Sequence, residues 1–302
     1  MLDEQGYLPI TDSKSGQTFK IWYRRIGGEH PTKTPLLCLH GGPGALHNYL
    51  LNMQELASED RQVIFYDQLG CGNSDIPNDN SLWRVDRFVE ELAQVIAGLG
   101  LEKVHLLGQS WGGMLAIEYA LTQPGTIEGL ILANTLSSMP LWVSEANRLR
   151  DELPPEIQAT LLKHEAEGTT DSEEYQTAIL AFYDRHVCRV PWPDYVAYSF
   201  GHILDGPVYL YMNGPSEFHV IGVIKDWDRT ADLPQIKLPT LIISGRYDES
   251  TPAINELLNK GIAGSEWHML DNSSHLAHVE EPEVYFPLVR QFLDKVEAAK
   301  TA

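Results

Sequence analysis

Ser110 stands in the stretch Gly-Gln-Ser-Trp-Gly-Gly, residues 108–113. A serine hydroxyl is a poor nucleophile until a base takes its proton and fixed donors receive the oxyanion it creates. The G-x-S-x-G spacing suits such a serine on a strained strand-to-helix turn, where the neighbours must be small. "KVHLL" before it and "GGMLAIEYALTQPG" after it read as that strand and that helix. On this reading Gly108 and Gly112 let the chain turn sharply enough to present Ser110.

The serine needs a base and an acid to orient the base. In an alternating strand and helix chain these follow in the order serine, carboxylate, histidine, on loops after later strands. "TLIISG" runs into "RYDES" and offers Asp248; "SEWHML" runs into "DNSSHLAHVEEPE" and offers His275. His268 lies inside its strand, and His278 sits one helical turn beyond His275 as a surface residue. Asp271 comes immediately after its strand, too early to reach. The oxyanion needs two donors. One is the Trp111 backbone N–H, and the Trp111 side chain is expected to border the acyl pocket. The other comes from the loop "HGGPG" (40–44), with Gly42 as the choice and Gly41 as the alternative.

The elements that must position these residues alternate along the chain. "QTFKIWYRRIG" reads as an early strand, and residues 35–42, 61–70, 103–108 and 127–134 as short strands, most of them buried. Leu82, Val85, Phe88, Val89, Leu92, Val95, Ile96 and Leu99 recur at helical spacing. The pattern returns with strands at 238–245 and 265–270, each followed by a helix. The chain therefore reads as α/β, with a mostly parallel central sheet and helices on both faces. Between Ser138 and Ala231 the sequence turns helical and rich in Trp and Tyr. Residues 138–231 read as an inserted helical cap, and residues 1–137 with 232–302 as the core. The aromatics Phe182, Tyr183, Trp192, Tyr195, Tyr198 and Phe218 are candidates for the pocket wall.

The 302 residues carry a net charge of −20, which disfavours nucleic acid and anionic membranes as partners and is compatible with amine-bearing substrates. No signal peptide or membrane-spanning run is visible. Cys38, Cys71 and Cys188 form neither a disulfide framework nor a metal-ligand pattern, and Cys38 reads as core. The cytoplasm is the expected compartment, and no metal or organic cofactor is expected.

"HGGPG", "DQLGCGNSD" (67–75), "GQSWGG", "SGRYDESTP" and "SSHLAHVEEPE" together resemble the proline iminopeptidase family of α/β-hydrolases, and most closely its tricorn-interacting-factor aminopeptidase branch. The resemblance covers nearly the whole chain, including "NGPSEFHVIGVIKDWD" (213–228). Many members carry arginine where this chain has Leu69. The family implies the α/β-hydrolase fold and a serine aminopeptidase that prefers N-terminal proline. It also implies that Glu217 and Glu249 hold the free ammonium of a peptide or amino-acid amide. An ion pair at about 4 Å is worth about 4 kcal/mol at an effective dielectric near 20, before desolvation.

Other readings make different demands. Glu217 can be a solvated cap residue, and Glu249 a carboxylate at the start of a helix. An esterase or amino-acid amidase shares every catalytic residue and differs only in pocket selection. A ligand-binding receptor uses the pocket without turnover. Dehalogenase and epoxide hydrolase chemistry calls for an aspartate at position 110.

Overall fold

The computed structural model describes residues 1–300. Two ten-residue strands, β1 (Leu2–Thr11) and β2 (Thr18–Gly27), open the chain as an antiparallel pair. The buried strand β3 (Leu36–Leu39) leads through the glycine-rich loop and a 3₁₀ segment (His47–Leu56) to β4 (Val63–Tyr66). Then α1 (Val85–Gly98), β5 (Val104–Gln109), α2 (Trp111–Thr122) and β6 (Ile127–Ala133) alternate. Five helices follow: α3 (Met139–Arg150), α4 (Pro155–Glu167), α5 (Glu173–His186), α6 (Asp194–Gly201) and α7 (Val208–Met212). The alternation resumes with β7 (Thr240–Gly245), α8 (Pro252–Gly261), β8 (Glu266–Leu270), α9 (Ala277–Glu280) and α10 (Pro282–Lys300).

The strands form one eight-stranded sheet in the order β1-β2-β4-β3-β5-β6-β7-β8. The β1/β2 and β2/β4 pairings are antiparallel, and all the others are parallel. β1 is the one strand the sequence reading leaves out. Its residues alternate between exposed and partly exposed until the buried Ile10, so no apolar run marks it. Its place comes from ten residues of pairing with β2.

The central strands are buried on both faces, which is why they read as continuous apolar runs. Alternate residues supply two separate cores. Leu37, Leu39, Ile64, Leu106, Leu130 and Leu132 face Phe88 and Leu92 of α1, Leu115 of α2 and Leu258 of α8. Leu36, Cys38, Val63, Phe65, Leu107 and Ile131 face Val289, Phe292 and Leu293 of α10 and the 3₁₀ segment. Truncating any of these buried leucines to alanine costs about 2–5 kcal/mol.

The elbow glycines act differently from the expectation. Neither Gly108 nor Gly112 has a positive φ; Ser110 itself does, at φ 55°. The glycines serve close approach instead. A Cβ on Gly108 would lie 2.2 Å from the Gly112 carbonyl oxygen, and one on Gly112 would lie 2.0 Å from the Leu39 oxygen. They let α2 press against β5 and β3, and that contact holds the strained serine between them. Gly112→Ala should therefore lower the thermal midpoint, at a cost of about 1–3 kcal/mol. Gly125→Ala, where an added Cβ meets nothing within 4 Å, should leave the midpoint unchanged within about 0.5 kcal/mol. Thermal melts of the two variants check this pair of expectations.

Candidate active site

Five neighbouring strands bring their carboxyl ends to one edge, and each ends in a residue of the site. The order across the sheet is β3, β5, β6, β7 and β8. The matching residues are Gly42, Ser110, Asn134, Asp248 and His275. Ligand sites of parallel sheets gather at this edge because the loops that follow the strands are free to vary there.

Ser110 occupies φ 55°, ψ −125°, a sparsely populated region for a residue with a Cβ. Its amide donates to the Ala133 carbonyl at 3.1 Å, and its carbonyl accepts from Thr135 Oγ1 at 2.7 Å. Both flanking peptides are thereby fixed to the end of β6. His275 Nδ1 lies 2.8 Å from Asp248 Oδ1. Asp248 is fully buried; its Oδ1 also accepts from the Ser250 amide at 2.8 Å, and its Oδ2 from Asn134 Nδ2 at 2.6 Å. These donors leave Nδ1 as the imidazole nitrogen that carries the proton, and Nε2 as the one free to accept. Ser110 and His275 line one cavity. Among the described residues no hydrogen bond joins them directly, a contact that commonly tightens only around substrate.

The glycine loop is oriented by planarity of the peptide unit. His40 is buried, and burial pushes its pKa down to about 4, so the ring is neutral. Its Nε2 accepts the Gln68 amide at 3.0 Å, which leaves Nδ1 to donate to the Gly41 carbonyl at 3.1 Å. The Ala45 amide reaches the same oxygen at 3.2 Å. In a trans peptide the N–H points opposite to the C=O, so the Gly42 N–H is turned away from these donors. Gly42 lines the cavity with Ser110. The alternative donor, the Gly41 N–H, is already given to Tyr49 Oη at 2.7 Å. Trp111 begins α2, so its N–H has no intrahelical carbonyl to reach.

The Trp111 side chain departs from expectation. It is buried beneath the turn, edge-on to Phe88, with its indole N–H given to Gln68 Oε1 at 2.9 Å. Gln68 Nε2 in turn donates to the His40 carbonyl at 2.9 Å. The indole therefore braces the loop from below and is not among the side chains that line the cavity. The aromatic wall differs as well. Tyr49 and Phe200 line the Ser110 cavity, whereas Tyr183 and Trp192 line an adjoining, mostly apolar one. Phe182 and Phe218 are buried packing, and Tyr198 is exposed. His278 is fully buried rather than on the surface, with its Nε2 against the Tyr49 carbonyl at 3.0 Å.

Glu217 and Glu249 both line the Ser110 cavity. Glu249 is 1% exposed, with Oε1 3.7 Å from His275 Nε2 and Oε2 without a hydrogen-bond partner. Glu217 is half-buried, and its Oε1 accepts from Tyr209 Oη at 2.6 Å. Burial, reinforced by the charges of Glu217 and Asp248, holds the Glu249 carboxyl well above the usual carboxylate range. Burial raises Glu217 too, against the opposing pull of the Tyr209 hydroxyl. The five-helix insertion helps to place these groups. The His186 carbonyl at the end of α5 accepts from the amides of Glu249 at 3.3 Å and His275 at 3.2 Å.

Asn134, Tyr49, Gln109 and Tyr209 were not visible as site residues in the sequence. Only Asn134 carried a signal, its position at the end of a central strand. At the opposite edge of the sheet His105, Glu128 and Glu297 lie close enough to chelate a cation. There the Lys300 ammonium already pairs with both glutamates.

A family model described as the alpha/beta hydrolase fold matches residues 34–282. A proline iminopeptidase of Heyndrickxia coagulans is 40% identical over 293 residues, covering 97% of this chain and 99% of that one. One from Saccharolobus solfataricus is 42% identical over 297 residues, covering 97% and 93%. The crystal structure of VinJ superposes with a TM-score of 0.92 at 44% identity, over 97% of this chain and 99% of VinJ. That of proline iminopeptidase from Mycobacterium smegmatis does so with a TM-score of 0.87 at 40% identity, over 98% and 100%. On its motifs, its sheet and these likenesses, the chain belongs to the proline iminopeptidase family of α/β-hydrolases.

Proposed function

We propose that the chain is a serine aminopeptidase. It releases one N-terminal residue, preferably proline, from a small peptide or amino-acid amide through an aminoacyl-serine intermediate. The observation that carries this reading is the pair of carboxylates, Glu217 and Glu249, on the cavity that holds Ser110 and His275. Two enclosed carboxylates, one with an unpartnered oxygen, are costly unless a cation completes them. A substrate ammonium is such a cation. The names of the relatives support the same activity.

In the proposed reaction the ammonium docks between Glu217 and Glu249. His275 Nε2 takes the Ser110 proton as Oγ attacks the first carbonyl carbon. Asp248, through Nδ1–H, stabilises the imidazolium, and Glu249 beside Nε2 adds to this. The oxyanion rests on the Trp111 and Gly42 N–H groups; losing one such donor costs about 2.7–4 kcal/mol. The C–N bond breaks as His275 returns the proton to the leaving amine, and water then hydrolyses the ester. An N-blocked substrate leaves both carboxylates unpaired, so it is rejected electrostatically. Residues 138–231 serve as the cap that carries Glu217, over a core of 1–137 and 232–302. Among the described residues no helix is long and apolar enough to cross a membrane. The three cysteines are free and buried, which suits the reducing cytoplasm proposed as its compartment.

Rates on a prolyl anilide, an alanyl anilide, an N-acetyl-prolyl anilide and an acetate ester test the reading, with Ser110→Ala as the inactive control. The free-amine anilides should be cleaved, prolyl faster, and the blocked one not. Glu217→Gln should raise KM for the free-amine substrates about 10- to 100-fold, the worth of a charged hydrogen bond, and leave the ester nearly unchanged. Ester turnover with no preference for a free amine would leave a general esterase. As pH falls, both carboxyls protonate from raised values, so KM for the prolyl anilide should begin to climb at a pH above the usual glutamate range.

The same shifts make a stability expectation. The folded state holds the Glu249 proton more tightly than the unfolded chain does. The contribution of this one carboxyl to stability is then fully present below the ordinary glutamate value and is lost as pH rises through the raised one. Glu249→Gln should flatten that slope and raise the melting temperature at neutral pH, in melts recorded across the range.

A further inference from the structure

Tyr49 and Gln109 join three loops that no single strand could hold in register. The Gly41 N–H donates to Tyr49 Oη at 2.7 Å. That bond obliges the Tyr49 hydroxyl proton to point elsewhere, and it is given to Gln109 Oε1 at 2.6 Å. Gln109 Nε2 then donates to the His275 carbonyl at 3.0 Å. The polarity runs one way, from the glycine loop after β3, through the turn that presents Ser110, to the loop after β8. The chain cannot be reversed, because its first member is an amide donor and its last a carbonyl acceptor.

Three further observations fix this chain in place. Tyr49 is 2% exposed and Gln109 1%, so water does not compete for the bonds. The Tyr49 carbonyl is pinned by His278, and the His278 carbonyl accepts from Asn52 Nδ2 at 2.7 Å, which secures the tyrosine's own segment. Packing around Gly41 is at its limit. A Cβ there would lie 3.0 Å from Ser110 Cβ, 3.0 Å from Tyr49 Oη and 3.1 Å from Gln109 Oε1. The loop thus rests on the serine and the hydrogen-bonded pair at once.

We infer that Tyr49 and Gln109 are positioning residues for acyl transfer, setting the distance between the Gly42 donor, Ser110 and His275 as one connected unit. Both line the cavity, yet their polar atoms are spent on each other and on the backbone of the Gly41 and His275 loops. Their loss therefore acts on the transition state rather than on recognition of the amine. This inference rests on the acyl-transfer reading above, and not on the identity of the substrate's first residue.

Tyr49→Phe removes the hydroxyl and keeps the ring; Gln109→Met keeps the volume and removes both polar ends. Each is measured with the double variant on a prolyl anilide and on an acetate ester. Inhibition by an alkyl boronic acid, which adds to the serine as a tetrahedral adduct, and thermal melts complete the set. Each single variant should lose about 10- to 100-fold in kcat on both substrates, the scale of a small misplacement of reacting groups. KM for the anilide should stay within about threefold, and boronate affinity should fall with kcat. The double variant should be no worse than about the weaker single. Folded variants with kcat and boronate affinity within twofold of the parent would overturn the inference, whatever their melting temperature. Multiplying losses in the double variant would overturn the claim of one unit. Should one variant fail to fold, the other reads the same chain. Turnover by Ser110→Ala would overturn the acyl-transfer reading itself, and this inference with it.

Discussion

A serine at φ 55°, ψ −125° holds a backbone that an isolated chain avoids, at a cost of about 1–3 kcal/mol. Everything near it is arranged to sustain that conformation. The Gly112 carbonyl leaves no room for a Cβ on Gly108, and the Leu39 carbonyl leaves none on Gly112. The Ser110 amide and carbonyl are both bonded to the segment that ends β6. The buried leucines of both sheet faces supply the stability from which this strain is met. The nucleophile candidate is therefore a property of β3, β5, β6 and α2 together.

The same edge carries a second unfavourable feature, this one electrostatic. Glu217, Glu249 and Asp248 gather in a confined space, and burial raises the first two. Asp248 is relieved by donors from Asn134 and Ser250 and by the imidazole. Glu249 is not, and one of its oxygens stays unpartnered. In the proposed function the relief arrives with the substrate, so a stability deficit in the free protein becomes selectivity for a cation. The acidic surface, with net charge −20, favours the approach of the same class of ligand.

The insertion between β6 and β7 is tied to the site rather than merely laid over it. The end of α5 receives the amides of Glu249 and His275. The Trp142 indole donates to the Glu217 carbonyl at 2.8 Å and lies edge-on to His275 at 5.7 Å. Displacement of these helices would carry with it both the proposed amine anchor and the backbone of the base. In the proposed function, specificity and chemistry are thus coupled through hydrogen bonds to backbone that no side-chain pattern announces.

What the sequence determined by itself was local. Apolar runs and helical spacing marked the central strands and helices, because burial on one or two faces leaves a periodic trace. The G-x-S-x-G turn, "HGGPG" and the strand ends at Asp248 and His275 marked the candidate machinery, because chemistry needs those residue types near those turns. Tertiary structure alone decided the rest. β1 has no apolar signature and takes its place only by pairing with β2. The elbow glycines proved to answer contacts with α2 and β3 rather than a demand for positive φ, and no local pattern separates the two. Trp111 follows the nucleophile in sequence, but its side chain was drawn beneath the turn by Gln68 and Phe88. Tyr49, Gln109 and Asn134 became site residues because atoms 60, 166 and 114 positions apart came within hydrogen-bond distance. Hydrogen-bond partners across such separations leave no periodicity in one sequence, and only the folded sheet edge brings them together.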